Sequence, residues 1–322
     1  MLALRPARHS VSMLLCCMVE ILSFPVWGAD TVSLGLVSGS PALYWPAEIG
    51  RAKGMFAAEG LTIDAVYVPS SGGIVQQLSA GSLNLGVAGL VDPLRAIEKG
   101  APIALIRIEG AVPPYSLIAK PEIKRIEDLR GKTISLGGSA DITRIYVERM
   151  LAPHGVQPGQ FDMVFAGSTT ARFAALQSGA VDATLLGAPF DNRAEAAGFS
   201  NLGLTMEYVK DLPFSGYVVN RAWASGHLAT IRGFLAAYQR SVDWFYDAQN
   251  RDQAIKLVVE MSHGDPADVE RSYEFFRKIE FFEKTSKIST SQLQSLVGVL
   301  KQLGVVDRQM GPDALIMQDV TR

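Results

Sequence analysis

Two glycine-containing motifs of the chain carry residue types that hydrolases and phosphate-binding proteins use. Gly131-Lys132-Thr133 matches the end of a phosphate-binding loop, but such a loop requires a glycine at position 126, where this chain has Ile126. Gly137-Gly138-Ser139-Ala140-Asp141 matches a nucleophile elbow except at its last residue, where a glycine is required. No histidine is placed by the sequence to activate Ser139. Neither motif therefore predicts catalysis.

The histidines and cysteines do not suggest a metal site or a reactive thiol. The four histidines are scattered along the chain, and no two of them have the spacing of metal ligands. Cys16 and Cys17, the two cysteines, both lie near the N-terminus. If that segment is removed, no cysteine remains for a disulfide, a catalytic thiolate or a metal. The sequence thus predicts a protein that has no metal, no cofactor and no enzymatic activity.

Residues 1–29 have the order of features of a secretory signal peptide. Arg5 and Arg8 precede a mostly apolar run over 11–24, and Val26 and Gly28, or alternatively Trp27 and Ala29, stand before a predicted cleavage point. The apolar run has about 14 residues, fewer than the roughly 20 that a membrane-spanning helix needs. We therefore predict export to the periplasm and a mature chain that begins near Asp30. A retained N-terminal helix and lipidation at one of the two cysteines remain alternatives.

Length and composition indicate two packed domains. The chain has 322 residues, of which 48% are hydrophobic and 19% are charged. Because a single domain usually has about 100 to 200 residues, two domains are expected. Lys and Arg number 30 against 32 Asp and Glu, and no basic run is present, so neither nucleic acid nor an anionic membrane is an expected partner.

Short β-branched runs alternate with glycine-terminated helical stretches, which is typical of an α/β fold with mainly parallel sheets. The alternation runs over 31–108 and starts again near Tyr115. Residues 76–89 align without a gap on residues 174–187. Identical residues recur at three aligned positions: Leu78, Gly81 and Gly89 as Leu176, Gly179 and Gly187. The repeat predicts two similar lobes.

The last third of the chain is predicted to be helical, with helices at 228–248, 250–262, 266–278 and 289–303. Such helices need an existing sheet to bury their apolar faces, and the extended stretch 214–220 would lead the chain back to the first lobe. We therefore predict that residues 30–113 and 214–322 form lobe one. Residues 114–213 would form lobe two, inserted into lobe one.

Four segments, in this order, resemble the periplasmic substrate-binding proteins of ABC importers. The resemblance is to the NMT1/THI5-like branch, which serves sulfonates, taurine, nitrate and pyrimidine precursors of thiamine. It implies a two-lobed periplasmic-binding-protein fold of type II, with a helical C-terminal extension on lobe one. It also implies a monomer that closes on a small organic or oxyanion solute and delivers it to a permease. The segments are 44–61, 78–81, 128–134 and 175–189.

The resemblance implies ligand contacts in the loops at the carboxyl ends of the strands, where open α/β sheets bind ligands. Glycines and hydroxyl residues suit these loops because a ligand can then reach free N–H groups at helix starts. The predicted ligand-binding residues are Ser40, Tyr44, Trp45, Ser71, Gly72, Gly89, Asp92, Tyr115, Ser139, Asp141, Ser168, Thr169, Gly187 and Asp191.

Several of these side chains have a purely structural alternative. Tyr44, Trp45 and Tyr115 either stack on a ligand or pack into the core. Asp92 and Asp141 stand where helix N-caps are expected, so each carboxylate could simply satisfy its own helix. Arg144 and Arg172 could supply positive charge to the site or remain solvated on the surface. The charge of the ligand is therefore left open by the sequence.

Two other functions share the predicted fold. One is a pyrimidine-precursor synthase of eukaryotes, but that enzyme carries a cysteine-rich motif, which the predicted mature chain lacks. The other is a sensory module whose lobes present the ligand-bound state to a receptor. Neighbouring genes for a permease and an ATPase would separate transport from sensing.

Overall fold

The computed structural model describes residues 30–38, 41–139, 141–209, 212–285, 287–308 and 310–321. The predicted signal peptide and the predicted site residue Ser40 lie outside the described residues. Within the described part of the chain, no helix has the length and apolar character needed to cross a membrane.

The described residues form two five-stranded sheets. The first sheet has the strand order β2-β1-β3-β10-β4 and the second has the order β7-β6-β8-β5-β9. In each sheet one strand, β10 or β5, runs antiparallel to both of its neighbours, and the other pairings are parallel. The strands are β1 (Asp30–Val37), β2 (Leu61–Val68), β3 (Leu85–Gly89), β4 (Ile103–Gly110), β5 (Tyr115–Ala119), β6 (Thr133–Leu136), β7 (Asp162–Phe165), β8 (Ala183–Gly187), β9 (Ser200–Leu204) and β10 (Ser215–Asn220).

Helices connect the parallel strands and make up most of the chain after β10. They are α1 (Trp45–Ala52), α2 (Ser71–Ala80), α3 (Val91–Glu98), α4 (Ile142–Leu151), α5 (Thr169–Gln177), α6 (Phe190–Ala196), α7 (Arg221–Gly226), α8 (Leu228–Tyr246), α9 (Arg251–Ser262), α10 (Pro266–Lys278), α11 (Thr290–Gln302), α12 (Pro312–Leu315) and α13 (Gln318–Thr321).

The repeat in the sequence corresponds to a repeated structural unit. Helix α2 ends at Gly81 and is followed by β3, and α5 is followed by Gly179 and β8. Gly81 has φ of +77° and Gly179 has φ of +75°, the left-handed conformation that glycine adopts most easily at the end of a helix. Strands β3 and β8 hold the same position in the two sheet orders. The predicted α/β fold with two similar halves is confirmed.

The helices that follow β10 bury the first sheet. Tyr217 on β10 contacts two aromatic side chains of α8, with ring-centroid distances of 5.2 Å to Phe234 and 4.7 Å to Tyr238. Burying each such side chain contributes about 1.5 to 3 kcal/mol. Near the C-terminus, Ile316 forms a bridge to Leu105 on β4. The predicted helical extension is therefore present, and it packs on the first sheet.

The second sheet is built from one continuous stretch of the chain, because β5 to β9 all lie between β4 and β10 in the sequence. The chain crosses from the first sheet to the second between Gly110 and Tyr115. It returns between Leu204 and Ser215. The exact lobe boundaries at 113/114 and 213/214 stay a prediction.

Candidate functional site

A cavity with about 680 Å³ of space, part of which is open to solvent, lies between the two sheets. Its walls are formed by segments at the carboxyl ends of the parallel strands β1, β2, β3, β6 and β7. Tyr115 and Ser215, the first residues of the antiparallel strands β5 and β10, reach the same place. Both sheets thus present to this cavity the edge at which open α/β sheets bind ligands.

Half of the predicted site residues are brought together at this cavity. The first sheet and its loops contribute three of them, and the crossover and the second sheet contribute the others. The predicted residues that line the cavity are Tyr44, Ser71, Gly89, Tyr115, Asp141, Ser168 and Thr169.

Tyr44 and Tyr115 are largely buried, yet each forms part of the cavity wall. The hydroxyl of Tyr44 accepts a hydrogen bond of 3.0 Å from the backbone N–H of Val37. The ring of Tyr115 packs edge-to-face on Phe214, with 5.5 Å between ring centroids. Burial raises the pKa of both phenols, so both remain neutral. Each tyrosine therefore combines a packing role with a face that a solute can contact.

Three helices begin at the cavity, and each has a polar side chain at its N-cap. Ser70 accepts a hydrogen bond from the N–H of Gly73 at the start of α2, and Ser168 accepts one from Ala171 at the start of α5. Asp141 caps α4 by accepting from the N–H of Thr143 at 2.8 Å. The capping alternative for Asp141 is therefore realised, while its carboxylate also lines the cavity. The positive ends of three helix dipoles converge here.

Arg172 supplies a buried positive charge in the cavity wall. Its side chain is held by three donated hydrogen bonds: Nε to the carbonyl of Leu185 at 3.0 Å, Nη1 to the carbonyl of Gly167 at 2.5 Å, and Nη2 to the hydroxyl of Thr169 at 3.1 Å. Its guanidinium also lies over the ring of Tyr115, 5.6 Å from the centroid. Within the described part of the chain, no carboxylate forms an ion pair with Arg172.

The sequence did not indicate Glu109, the penultimate residue of β4, which also lines the cavity. One carboxyl oxygen accepts a hydrogen bond of 3.0 Å from the hydroxyl of Ser215, and the other has no partner among the described residues. Burial raises the pKa of Glu109 to about 8, against the smaller opposing effects of Ser215 and Arg107. The carboxyl is therefore mainly protonated and neutral at pH 7. The available signal was a pair of charged residues, Arg107 and Glu109, in a strand that is otherwise apolar.

Trp45, Gly72 and Asp92 do not reach the cavity. Trp45 is the first residue of α1, and its buried indole packs edge-to-face on Phe276, with 5.6 Å between ring centroids. Gly72 lies on an outer surface of α2 with Asp92 nearby. The N-cap of α3 is Leu90, which makes the prediction of Asp92 as the cap wrong. Asp92 instead forms an ion pair of 3.2 Å with Arg95.

Ser139, Gly187 and Asp191 also lie outside the cavity wall. Ser139 is exposed, and its carbonyl accepts a hydrogen bond from Arg144. Gly187 is buried beneath Tyr115, where a Cβ would lie 3.4 Å from the ring. Asp191 is buried in α6 and accepts a hydrogen bond of 3.3 Å from the hydroxyl of Ser116. Burial raises the pKa of Asp191 to about 6.

An ion cluster joins the helix α6 of the second sheet to the helix α10 that follows the first sheet. Arg193 on α6 and Arg271 on α10 each donate to a different carboxylate oxygen of Asp268, both at 2.5 Å. Burial works to raise the pKa of Asp268, but the two arginines outweigh it and hold this pKa below its usual value. The cluster borders a second crevice, to which Trp45 contributes. It therefore connects the two halves of the protein.

Comparisons with known proteins agree on the family and the fold. Residues 45–254 match the NMT1/THI5 like family. An aliphatic sulfonates-binding protein of Escherichia coli K12 is 28% identical over 216 residues. That alignment covers 66% of this chain, and the chain spans 65% of the length of the Escherichia coli protein.

Two solved structures are similar to the whole architecture. The alkanesulfonate-binding protein SsuA of Xanthomonas axonopodis pv. citri, solved with MOPS bound, has a TM-score of 0.72 at 17% identity, covering 89% of this chain and 98% of that protein. The periplasmic nitrate-binding protein NrtA of Synechocystis PCC 6803 has a TM-score of 0.63 at 16% identity. This match covers 76% of this chain and 70% of that protein. These structures show the shared two-lobed fold. The family match extends over more than half of the residues of this chain, so this chain belongs to the NMT1/THI5-like family.

Proposed function

We propose that this protein is the extracytoplasmic solute-binding component of an ABC importer. It captures a small organic or oxyanion solute between its two sheets and delivers that solute to a permease. The observation that carries the proposal is the cavity, whose wall combines strand-end segments of both sheets. A solute in this position contacts both halves of the protein at once.

Contact with both halves couples solute binding to closure. A solute that touches Ser71 and Glu109 on one side and Ser168 and Arg172 on the other binds the closed arrangement more tightly than an open one. Only such a difference in affinity shifts the equilibrium toward the closed form. The closed form would then dock on the permease.

The residues around the cavity favour binding over catalysis. Neither histidine nor cysteine occurs in the described lining, so a nucleophile would have no imidazole base. Ser139, the serine of the nucleophile-like motif, lies outside the wall. The similar proteins from Escherichia coli, Xanthomonas and Synechocystis are named as binding proteins.

Location and partners form part of the same proposal. We infer that residues 1–29 direct export, that the protein acts as a monomer in the periplasm, and that lobe two, 114–213, is inserted into lobe one. The permease subunits are its protein partner. Similar proteins named as periplasmic support the location.

A thermal-shift screen of the full-length protein tests solute capture. The panel contains sulfonates, nitrate, aromatic acids and pyrimidines. A solute at one hundred times its Kd stabilises the native state by about 2.7 kcal/mol, which raises the thermal transition measurably. We expect at least one chemical class to raise it. If no class does so with a ligand-free, folded sample, the proposed function is wrong.

A matched pair of variants assigns the binding to the cavity. Gly89 lies in the wall, and a Cβ there would meet its nearest neighbour at 3.8 Å, so Gly89→Leu can extend into the open space. Gly72 lies on the outer surface, with nothing within 4 Å of an added Cβ. We expect Gly89→Leu to abolish the thermal shift and Gly72→Leu to preserve it. Equal shifts in both variants would place the binding elsewhere.

A further inference from the structure

The two walls of the cavity carry different polar groups. Glu109 enters from β4 of the first sheet, and Arg172 enters from α5, which packs on the second sheet. Both side chains are almost completely buried, with exposures of 1% for Glu109 and 3% for Arg172. A solute that spans the cavity must therefore meet a carboxyl group on one side and a guanidinium on the other.

On the wall formed by the second sheet, hydrogen bonds orient the Arg172 guanidinium, but no carboxylate among the described residues neutralises its charge. Its three hydrogen bonds go to two carbonyls and a hydroxyl, which fix the plane of the guanidinium without cancelling its charge. A buried cation that lacks an anionic partner is unfavourable, and a planar guanidinium pairs well with a carboxylate or sulfonate. This wall favours an acidic group on the solute.

On the wall formed by the first sheet, one carboxyl oxygen of Glu109 is available for a hydrogen bond to the solute. Ser215 donates to one of its oxygens, and the remaining oxygen has no partner among the described residues. Because burial raises the pKa of Glu109 to about 8, this carboxyl group is neutral near pH 7 and can either donate or accept a hydrogen bond. A neutral polar group such as a hydroxyl or an amide would satisfy it.

Apolar side chains also line the cavity, together with the two polar groups. Val87 and Phe214 belong to the first-sheet side of the cavity, and Ile142 belongs to the second-sheet side. An inorganic oxyanion paired with Arg172 has no carbon skeleton with which to bury these apolar side chains. A solute with a carbon skeleton fills the space and gains affinity by burying apolar area.

Asp141 limits the charge of the solute. Its carboxylate also lines the cavity, with one oxygen occupied by the N–H and the hydroxyl of Thr143. Within the described part of the chain Asp141 forms no ion pair with Arg172, so its negative charge disfavours further negative charge on the solute. One negative charge on the solute can be placed at Arg172, whereas a second would meet no further guanidinium in the described wall.

We propose that the solute is a monoanionic, bifunctional organic acid. Its acidic group pairs with Arg172, its neutral hydrogen-bonding group pairs with Glu109, and an apolar body lies between them. This inference rests on the proposed function, because it names the class of solute that the same cavity takes. Glu109 is thereby a specificity-determining residue for the end of the solute that is opposite to the acid.

Matched pairs of acids that exchange a hydroxyl for a methyl group test this directly. The pairs are 3-hydroxypropanesulfonate with butanesulfonate, 4-hydroxybenzenesulfonate with 4-methylbenzenesulfonate, and 4-hydroxybenzoate with 4-methylbenzoate. Titration calorimetry on the full-length protein at pH 7 measures each Kd. We expect the hydroxyl member to bind about tenfold more tightly in at least one pair, because the methyl member leaves Glu109 unpaired. We also expect 4-hydroxybenzoate to bind more tightly than uncharged 4-hydroxybenzamide.

Two variants assign the preference to Glu109. Glu109→Gln keeps a neutral group that donates and accepts, so it should keep the preference for the hydroxyl member. Glu109→Met removes hydrogen bonding at similar volume, so it should bring the two members of a pair to equal affinity. The thermal transition of each variant shows whether it is folded, and the comparison of acid with amide needs no variant.

Several outcomes would overturn the inference while leaving the proposed function intact. These are equal affinities within every pair, tighter binding of nitrate or sulfate than of any organic acid, and equal binding of the acid and the amide. Loss of the hydroxyl preference in Glu109→Gln would show an ionised carboxylate and would also overturn it. Binding by no solute of any class would instead remove the proposed function.

Discussion

Replacing Glu109 by glutamine should change how stability depends on pH. In the native protein this carboxyl group is buried, and its pKa is raised from 4.5 to about 8. In the unfolded chain it ionises at its ordinary pKa. The native state therefore holds a proton that the unfolded state has already released, so this group contributes stability that is complete below pH 4.5 and is lost as the pH rises toward 8. Glutamine keeps the shape and has no proton to lose.

The size of the effect follows from the difference between the two pKa values. Each pKa unit corresponds to about 1.36 kcal/mol. Between pH 5 and pH 8 the unfolded Glu109 is ionised while the native one is still largely protonated, so wild type should lose about 3.5 kcal/mol relative to Glu109→Gln over this interval. The variant should thus become progressively more stable than wild type as the pH increases.

Urea unfolding of the ligand-free protein at pH 5, 6, 7 and 8, followed by tryptophan fluorescence, measures the free energy of unfolding of wild type and of Glu109→Gln. Asp191→Asn is the matched control, because burial raises the pKa of Asp191 only to about 6. The difference in free energy of unfolding between this control and wild type should level off above pH 7. The corresponding difference between Glu109→Gln and wild type should continue to grow up to pH 8. A constant difference between wild type and Glu109→Gln from pH 6 to pH 8 would refute the reasoning.

Three further substitutions test the packing and the contact between the two halves. Trp45→Ala should lower the free energy of unfolding by about 3 to 5 kcal/mol in urea denaturation, because the indole is a core side chain, while calorimetry should show wild-type solute affinity. Gly86→Ala should cost about 1 to 3 kcal/mol in the same denaturation assay, since its Cβ would lie 2.4 Å from a side chain of α2, whereas Gly72→Ala should not. Arg193→Ala removes a donor to Asp268 and should speed solute dissociation by roughly two- to fivefold in stopped-flow measurements, as expected for an ion pair worth about 0.5 to 1 kcal/mol. An unchanged dissociation rate would show that this contact does not hold the closed form.

Local sequence patterns were sufficient to predict the general architecture. The unit of helix, glycine and strand, with Gly81 and Gly179 at equivalent places, predicted two similar halves because a left-handed helix end strongly favours glycine. The placement of the site in the loops after the parallel strands was implied by the resemblance to the binding-protein family. It agrees with the general rule that open α/β sheets bind ligands at that edge.

The residues that were missed depend on contacts between distant parts of the chain. Glu109 and Ser215 lie 106 positions apart and meet only because β10 returns to pair with β4. No local sequence pattern indicates that β10 pairs with β4. The error at Asp92 has a different cause, because α3 begins at Val91, so the aspartate lies inside the first turn instead of capping it. Helix boundaries are uncertain by one or two residues when only sequence is considered.

The places where the chain crosses between the sheets also form part of the cavity wall. Tyr115 begins β5 directly after the first crossing, and Ser215 begins β10 directly after the second. The hydroxyl of Thr205, at the start of the return, accepts from the N–H of Tyr115 at 3.2 Å and lies 3.0 Å from the carbonyl of Pro113, so the two crossings are bonded to each other. A rotation of one sheet relative to the other about these crossings would therefore move Tyr115 and Ser215 together with the cavity wall. Because the crossings contribute to the cavity wall, a solute bound in the proposed position would stabilise one relative orientation of the sheets, which is the property that a binding protein needs to report its loaded state.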